Sequence, residues 1–174
     1  EFLSDPRVIE TNKLLWWPIL NLVILSFRPQ KSGHAYAQIW DQEKNESPLR
    51  VITREQTESL AERLGGDGVM VDFAMRYGNP STRSVLERMQ AAGCQKILLV
   101  PLYPQYSATT TATANDKAFD ALKTMRWQPA VRTAPAYFDD PKYIETLGNS
   151  IRDGVAALDF EPDVVITSYH GMPV

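Results

Sequence analysis

The chain has little of what marks several common protein classes. One cysteine, Cys94, and two histidines occur among its 174 residues. A lone cysteine cannot form an internal disulfide, so the sequence favours a reducing compartment and a cytoplasmic location. The net charge is −3 and the basic residues are scattered, which argues against a nucleic-acid partner. Neither a glycine-rich loop followed by lysine nor a G-x-G-x-x-G pattern occurs, so no phosphate-binding site is predicted.

The sequence also lacks an apolar run long enough to span a membrane. Its most apolar stretch, residues 14–27, is interrupted by Pro18 and Asn21 and is shorter than the roughly 20 residues that a bilayer requires. We favour a core helix followed by a buried segment, because no basic face accompanies the run. The alternative is a surface, with Trp16 and Trp17, that contacts an apolar ligand or lies peripherally on the inner face of a membrane.

What is present is a regular alternation of apolar runs and helical periodicity from residue 69 onward. Strands are predicted at residues 69–75, 96–102, 130–136 and 164–169, and helices at 81–92, 112–125 and 141–158. This β-α-β-α-β-α-β order predicts an α/β fold, with a mostly parallel, doubly wound sheet between two helical layers. The first third predicts helices at 4–25, 36–42 and 54–64, the last starting with a capping box of Thr53 and Gln56.

Candidate site residues follow the predicted strands, since ligands of open parallel sheets bind at the carboxyl ends of the strands. All four strand-end segments carry both tyrosine and proline; the segments are 75–81, 101–111, 135–138 and 168–173. Tyrosine and proline side chains would give a pocket apolar walls with a few polar groups, which suits a flat, largely apolar ligand. Arg76 either binds a carboxylate of that ligand or pairs with a structural carboxylate, and the spacing leaves both open.

His170 is the candidate reactive residue. It follows a β-branched predicted strand and precedes Gly171, at the expected edge of the site. A neutral imidazole at this place can accept a proton or bind a metal ion. A structural histidine is the alternative.

Several motifs together resemble one enzyme family, the ferrochelatases. They are FAMRYGNPS, PLYPQYSATTT and SYHGMP in that order, preceded by FLSDPRVIE, LLWWPIL and SGHAYAQIWDQE, which resemble the bacterial members. The resemblance implies a lyase that inserts ferrous iron into protoporphyrin IX in haem synthesis, folded as two similar α/β halves around a porphyrin cleft. Residues 1–174 would then be a partial N-terminal domain, without the extreme N-terminus and the C-terminal half, whose last strand, 164–169, leads to the catalytic-histidine loop.

The resemblance also implies roles for individual residues. His170 matches the family's invariant histidine, to which either pyrrole deprotonation or metal binding is assigned. The other matching positions line the site or bind the porphyrin: Arg76, Tyr77, Tyr103, Pro104, Tyr106, Ser107 and Ser168. The resemblance does not separate protoporphyrin from more carboxylated porphyrins.

No permanently bound cofactor is expected, and ferrous iron is a substrate. Some ferrochelatases hold an iron–sulfur cluster with a cysteine directly after the Tyr-Ser of the PQYS motif. This chain has Ala108 there and only Cys94 elsewhere. It therefore cannot by itself supply four cysteine ligands to a cluster.

Two other functions stay open beside this one. The chain could be a non-catalytic α/β module that binds a tetrapyrrole, or a cobalt chelatase of related architecture; the PLYPQYS loop and the long N-terminal match count against the second. The chain alone is expected to be inactive because half the cleft is absent. Exposed sheet edge and apolar surface would favour self-association, and the oligomeric state is otherwise open.

Overall fold

The computed structural model describes residues 2–171, so Met172 and Pro173 of the last strand-end segment lie outside the described residues. Within that range the chain combines helices with a small parallel sheet. The α-helices are α1 Lys13–Pro18, α2 Leu25–Gln38, α3 Pro48–Leu64, α4 Thr82–Ala91, α5 Thr113–Thr124 and α6 Pro141–Ala156. The strands are β1 Lys96–Leu99 and β2 Ala130–Thr133, and short 3₁₀ turns occur at Phe2–Ser4 and Gly65–Asp67.

One long helical segment dominates the first third. A π-helical stretch, Ile19–Ile24, joins α1 directly to α2, so the predicted helix at 36–42 is in fact the end of α2 at Gln38. Pro18 lies inside the segment and has no amide hydrogen to donate, which explains the irregular turn that follows it. The side chain of Asn21 donates to the carbonyl of Trp17 at 2.9 Å and supports this turn.

The apolar side chains of this segment are exposed. Leu14 is 84% exposed and Phe27 77%, and within residues 14–27 Leu20 alone is buried. The interpretation of this stretch as a core helix is therefore wrong. Apolar side chains are usually buried against other parts of a protein. No helix or strand among the described residues packs on this face. No helix among residues 2–171 is both long and apolar enough to cross a membrane.

Helix α3 begins earlier than predicted. Ser47 caps its first turn with its side-chain oxygen, and Pro48 occupies the first helical position, where no amide hydrogen is needed. The capping box predicted for Thr53 and Gln56 is wrong. Thr53 lies inside the helix and donates its hydroxyl to the carbonyl of Leu49 at 2.7 Å.

The core is built around the two-stranded sheet. β1 and β2 pair in parallel, with Lys96 opposite Ala130 and Leu99 opposite Thr133. α5 lies in the connection between them, as a parallel pair requires. One buried apolar cluster joins α4, β1 and α5: Leu86, Ile97, Ala118, Ala121 and Leu122.

Two of the four predicted strands do not form in the described residues. Residues 69–74 have no regular structure, and Met75 makes only an isolated parallel bridge with Ser81. Residues 164–169 are also irregular, and Ile166 is 87% exposed. A strand needs a neighbour for its backbone hydrogen bonds, and no described strand lies beside either segment. β1 is shorter than predicted because Pro101, which has no amide hydrogen, follows closely.

Leu86 provides a test of this core. It is 2% exposed, so Leu86→Ala should lower the free energy of unfolding by about 2–5 kcal/mol through the cavity it leaves. Urea unfolding followed by circular dichroism measures the change. Leu102→Ala, at a leucine that is 58% exposed, is the control and should cost less than about 1 kcal/mol. Equal losses in both variants would show that the core lies elsewhere.

Candidate active site

The loops after the two strands lie together at one edge of the sheet. The amide of Ala134 donates to the carbonyl of Leu99 at 2.8 Å and continues the ladder past the strand ends. Farther along, the amide of Tyr137 donates to the carbonyl of Pro104 at 3.0 Å. The hydroxyl of Tyr137 also donates to Pro101 at 3.4 Å. These bonds hold residues 100–106 and 134–138 together, at the edge where the sequence predicts a site.

A third loop, residues 75–81, carries Arg76 and Tyr77. The amide of Met75 donates to the carbonyl of Pro80 at 2.8 Å and closes the loop. Gly78 lies within it at φ +93°, a conformation that side-chain-bearing residues rarely adopt. Ser81 then caps α4. The loop therefore has a fixed shape, and its shape sets the direction of the two side chains.

Arg76 and Tyr77 both bind one buried carboxylate, that of Asp5. Asp5 is only 7% exposed, although it lies 71 residues before Arg76. Nη2 of Arg76 donates to its Oδ2 and forms an ion pair with it. The hydroxyl of Tyr77 donates to the same oxygen at 2.9 Å. The other oxygen, Oδ1, accepts from the backbone amide of Arg7 at 2.9 Å.

Aromatic packing completes this group, which we call the Asp5 cluster: Phe2, Asp5, Arg76 and Tyr77. The guanidinium carbon of Arg76 lies 4.3 Å from the centroid of the Tyr77 ring, a cation–π contact. Phe2 meets the same ring edge-on, with centroids 5.4 Å apart. Both contacts restrict the tyrosine ring, so its hydroxyl is held on the carboxylate.

The environment of Tyr77 favours its neutral form. Burial is the largest effect and raises the pKa of the Tyr77 hydroxyl above its ordinary value, and the hydrogen bond to Asp5 raises it further. The positive charge of Arg76 and the hydroxyl of Thr113 act in the opposite direction. The net result is a hydroxyl that stays protonated and continues to donate to Asp5 near neutral pH.

The segment that holds Asp5 also contacts α5. Arg7 forms an ion pair with Asp116, and its Nη2 donates to Oδ1 of Asp116 at 3.3 Å. The hydrogen bond with Asp116 is the main cause that raises the pKa of Arg7 above its ordinary value. Both side chains are about two-fifths exposed, so solvent screens the pair and its contribution to stability is small.

A hydroxyl-rich turn precedes α5. Ser107 accepts a hydrogen bond from the amide of Thr109 at 3.1 Å and begins a π-helical turn, Ala108–Ala112. Oγ1 of Thr111 and Oδ1 of Asn115 are buried, and neither makes a hydrogen bond within residues 2–171. These two residues are four positions apart, so they lie on one face of the helical segment. Buried polar atoms of this kind usually bind a partner.

The remaining predicted residues are placed outside the Asp5 cluster. His170 is exposed, and its Nδ1 lies 2.6 Å from the carbonyl of the adjacent Gly171. Ser168 is also exposed, and no described hydrogen bond joins either residue to the cluster. Tyr103 is 39% exposed and Tyr106 61%, on the loop after β1. No three His, Cys, Asp or Glu side chains in the described part of the chain are grouped so as to hold a metal ion.

Sequence reasoning missed Asp5. Arg76 at a strand end requires a carboxylate, but the chain has 21 acidic residues and the pattern does not choose among them. The available signal was the motif FLSDPRVIE, in which Asp5 precedes Pro6 within a matching N-terminal stretch. The structure supports the interpretation in which Arg76 pairs with a carboxylate of the chain itself.

The parallel strands, the intervening helix and the loops at the carboxyl ends define an α/β protein whose strand-end loops lie together at one edge of the sheet. Comparison with known proteins then identifies its family. The family model described as Ferrochelatase matches residues 1–174, so the chain belongs to the ferrochelatase family. The small parallel sheet with its helices is consistent with the α/β fold of a chelatase.

Curated relatives agree with this assignment. The chain is 64% identical to a ferrochelatase of Mesorhizobium japonicum over 99% of its own length. It is 58% identical to a ferrochelatase of Allorhizobium ampelinum and 57% identical to that of Rhizobium meliloti, again over 99% of the chain. These matches cover 49% of the first relative and 51% of the other two, so the chain spans about half the length of the curated relatives it matches.

The hydrogen bond from Tyr77 to Asp5 makes a prediction about alkaline stability. Tyr77→Phe should lower the free energy of unfolding at pH 7 by about 1–2 kcal/mol, because it removes this bond. The raised pKa of Tyr77 means that its stabilising effect is present below the ordinary tyrosine value of about 10 and is lost as the pH rises through the folded-state value. The two stability curves should therefore converge above pH 10, which urea unfolding across pH 7–11.5 measures.

Tyr36→Phe is the matched control, since Tyr36 is 60% exposed on α2. Its curve should run parallel to that of the unchanged chain. Tyr137, whose pKa burial also raises, is present in all three proteins and cancels from the comparison. A constant gap between Tyr77→Phe and the unchanged chain over the whole range would contradict the assigned environment of Tyr77.

Proposed function

We propose that this chain is the N-terminal part of a ferrochelatase, which inserts ferrous iron into protoporphyrin IX to form protohaem. The observation that carries the proposal is 64% identity, over 99% of the chain, to a protein named ferrochelatase. The family match across residues 1–174 supports it. The comparisons favour neither of the alternatives, a non-catalytic tetrapyrrole-binding module or a cobalt chelatase.

The proposal includes a larger architecture than the described sheet. Residues 1–174 form a partial N-terminal domain of a two-domain, three-layer α/β fold, and residues 164–169 lead to the histidine loop. Apolar side chains that lack cover support this: Leu98 in β1, Ile144 and Ile151 in α6, and Val164 and Ile166 are each more than two-fifths exposed. Such surface is typically covered by further strands and helices of the same protein.

The reaction exchanges two pyrrole protons of the porphyrin for one ferrous ion. We assign His170 as the residue that contacts the reacting atoms, as proton acceptor or as transient metal ligand. Neutral imidazole suits both roles because it accepts a proton near neutral pH and binds ferrous iron. A site that must release its metal into the porphyrin needs few protein ligands.

The walls of the proposed cleft are the strand-end loops. Tyr103 and Tyr106 offer exposed aromatic surface after β1, and Pro104 between them is partly exposed, which suits the face of a macrocycle. Arg76, Tyr77, Ser107 and Ser168 are assigned to the same cleft. Walls that fit a bent macrocycle better than a flat one would accelerate insertion, because only differential binding of the distorted form lowers the barrier.

We propose that the protein keeps no permanent cofactor and no iron–sulfur cluster. Cys94 is the chain's one cysteine and lies outside the strand-end segments. Its Sγ lies 3.8 Å from Sδ of Met70. We further propose a cytoplasmic protein, with peripheral membrane contact through the exposed apolar face of residues 14–27. The exposure of Leu14, Trp17 and Phe27 supports that contact.

The role of His170 is tested by porphyrin metallation. In the full-length protein that carries this sequence, His170→Ala should lower turnover at least about 100-fold, since a positioned acid–base group contributes that much or more. The loss of free-base porphyrin absorbance measures insertion of ferrous iron under anaerobic conditions, or of zinc. Full length is required because the chain alone is expected to lack half the cleft.

His34→Ala is the matched control, because His34 is the chain's other histidine and lies exposed on α2. It should keep the turnover of the unchanged protein. Circular dichroism spectra of both variants report whether the fold is retained. Near-normal turnover in His170→Ala would show that the assignment of His170 is wrong.

A further inference from the structure

We propose that Asp5 is a positioning residue of the porphyrin cleft, which holds the Arg76 guanidinium and the Tyr77 hydroxyl in one fixed arrangement. The inference rests on the proposed function, since it takes residues 75–81 as part of the cleft wall. Asp5 itself contacts no reacting atom in this account. It acts through the two residues that it binds.

Backbone hydrogen bonds around Asp5 hold its carboxylate independently of Arg76 and Tyr77. The carbonyl of Asp5 accepts from the amides of Val8 at 3.0 Å and Ile9 at 2.9 Å, so the segment after it folds back as a tight turn. The amide of Arg7 donates to Oδ1 of Asp5 and sets the plane of the carboxylate. The indole of Trp16 donates to the carbonyl of Leu3 at 2.8 Å and ties the start of α1 to this turn.

A single oxygen of Asp5 then orients both partners. Oδ2 accepts from Nη2 of Arg76 and from the hydroxyl of Tyr77. Nε of Arg76 is buried and makes no hydrogen bond within residues 2–171, so the guanidinium is held by one point and not by a fork. The direction of Arg76 therefore depends on Asp5 and on its contact with the Tyr77 ring.

The pairing also sets what the loop presents to a ligand. The only hydrogen of the Tyr77 hydroxyl is given to Asp5, so toward any ligand this oxygen can act only as an acceptor. The charge of Arg76 is balanced by Asp5, and the loop carries no unpaired cation from this residue. Both properties suit a macrocycle whose pyrrole N–H groups donate and whose incoming metal is a cation.

The test compares Asp5→Asn with the unchanged full-length protein in porphyrin metallation. Asparagine keeps the size of the side chain but loses the charge that Arg76 requires. We expect the KM for the porphyrin to rise at least about 10-fold, because misplaced wall residues weaken binding and alignment. A merely structural defect would lower the amount of active enzyme, so kcat would fall while KM stayed unchanged.

A second readout does not need activity. In Asp5→Asn, ultraviolet titration of the tyrosines should show one hydroxyl that ionises at lower pH than in the unchanged protein, because the hydrogen bond and charge that raise the pKa of Tyr77 are lost. The difference should vanish in a Tyr77→Phe background. Should Asp5→Asn fold poorly, Tyr77→Phe alone should remove from the titration one hydroxyl that ionises above the ordinary tyrosine pKa.

Asp72→Asn is the matched control. Asp72 is a largely buried carboxylate, 17% exposed, that pairs with Arg88 at 2.6 Å and accepts no hydrogen bond from a tyrosine among residues 2–171. It should leave both the KM and the tyrosine titration unchanged. An unchanged KM in Asp5→Asn, or an unchanged titration of Tyr77, would overturn the role of Asp5. Absence of turnover in the unchanged protein would instead overturn the proposed function.

Discussion

The ion pair between Asp5 and Arg76 is the contact on which the candidate site depends. A carboxylate that is 7% exposed is costly to bury unless a positive charge and hydrogen bonds compensate it. Arg76 and Tyr77 provide both, from a loop more than 70 residues away in sequence. Removing either partner would leave the other charge or donor buried, so the N-terminal turn and the loop at 75–81 are held together.

This contact joins the site to the core through α4 and α5. The loop at 75–81 leads directly into α4, and Leu86 of that helix packs in the same cluster as Ala118 and Leu122 of α5. Arg7, two residues after Asp5, pairs with Asp116 of α5. The cluster that positions the side chains is therefore anchored on both sides to the hydrophobic core. The proposed function interprets this arrangement as part of a porphyrin cleft.

Local patterns predicted the elements that are stabilised locally. The predicted helices at 81–92 and 141–158 correspond to α4 and α6, and the apolar run from 96 contains β1. The strands expected at 69–75 and 164–169 were wrong for the described residues, because a strand requires a neighbour that an apolar pattern cannot guarantee. The same limit applies to residues 14–27, where a strongly apolar segment lies exposed.

The site residues were also predicted only where local sequence determines them. The sequence pointed to Arg76 and Tyr77, since strand ends and motif spacing are local properties. It could not point to Asp5, because which of many carboxylates reaches an arginine is decided by tertiary folding. The proposed role of His170 comes from the family resemblance. The described contact of its ring is to the carbonyl of the adjacent Gly171, which does not test that role.

A double-mutant cycle measures whether Asp5 and Arg76 act as one energetic unit. The free energy of unfolding is measured by urea titration for the unchanged chain, Asp5→Ala, Arg76→Ala and the double variant. If the pair is one unit, the double variant should be destabilised by at least about 1 kcal/mol less than the sum of the single variants. Additivity of the two single effects to within about 0.5 kcal/mol would show that Asp5 and Arg76 are not coupled.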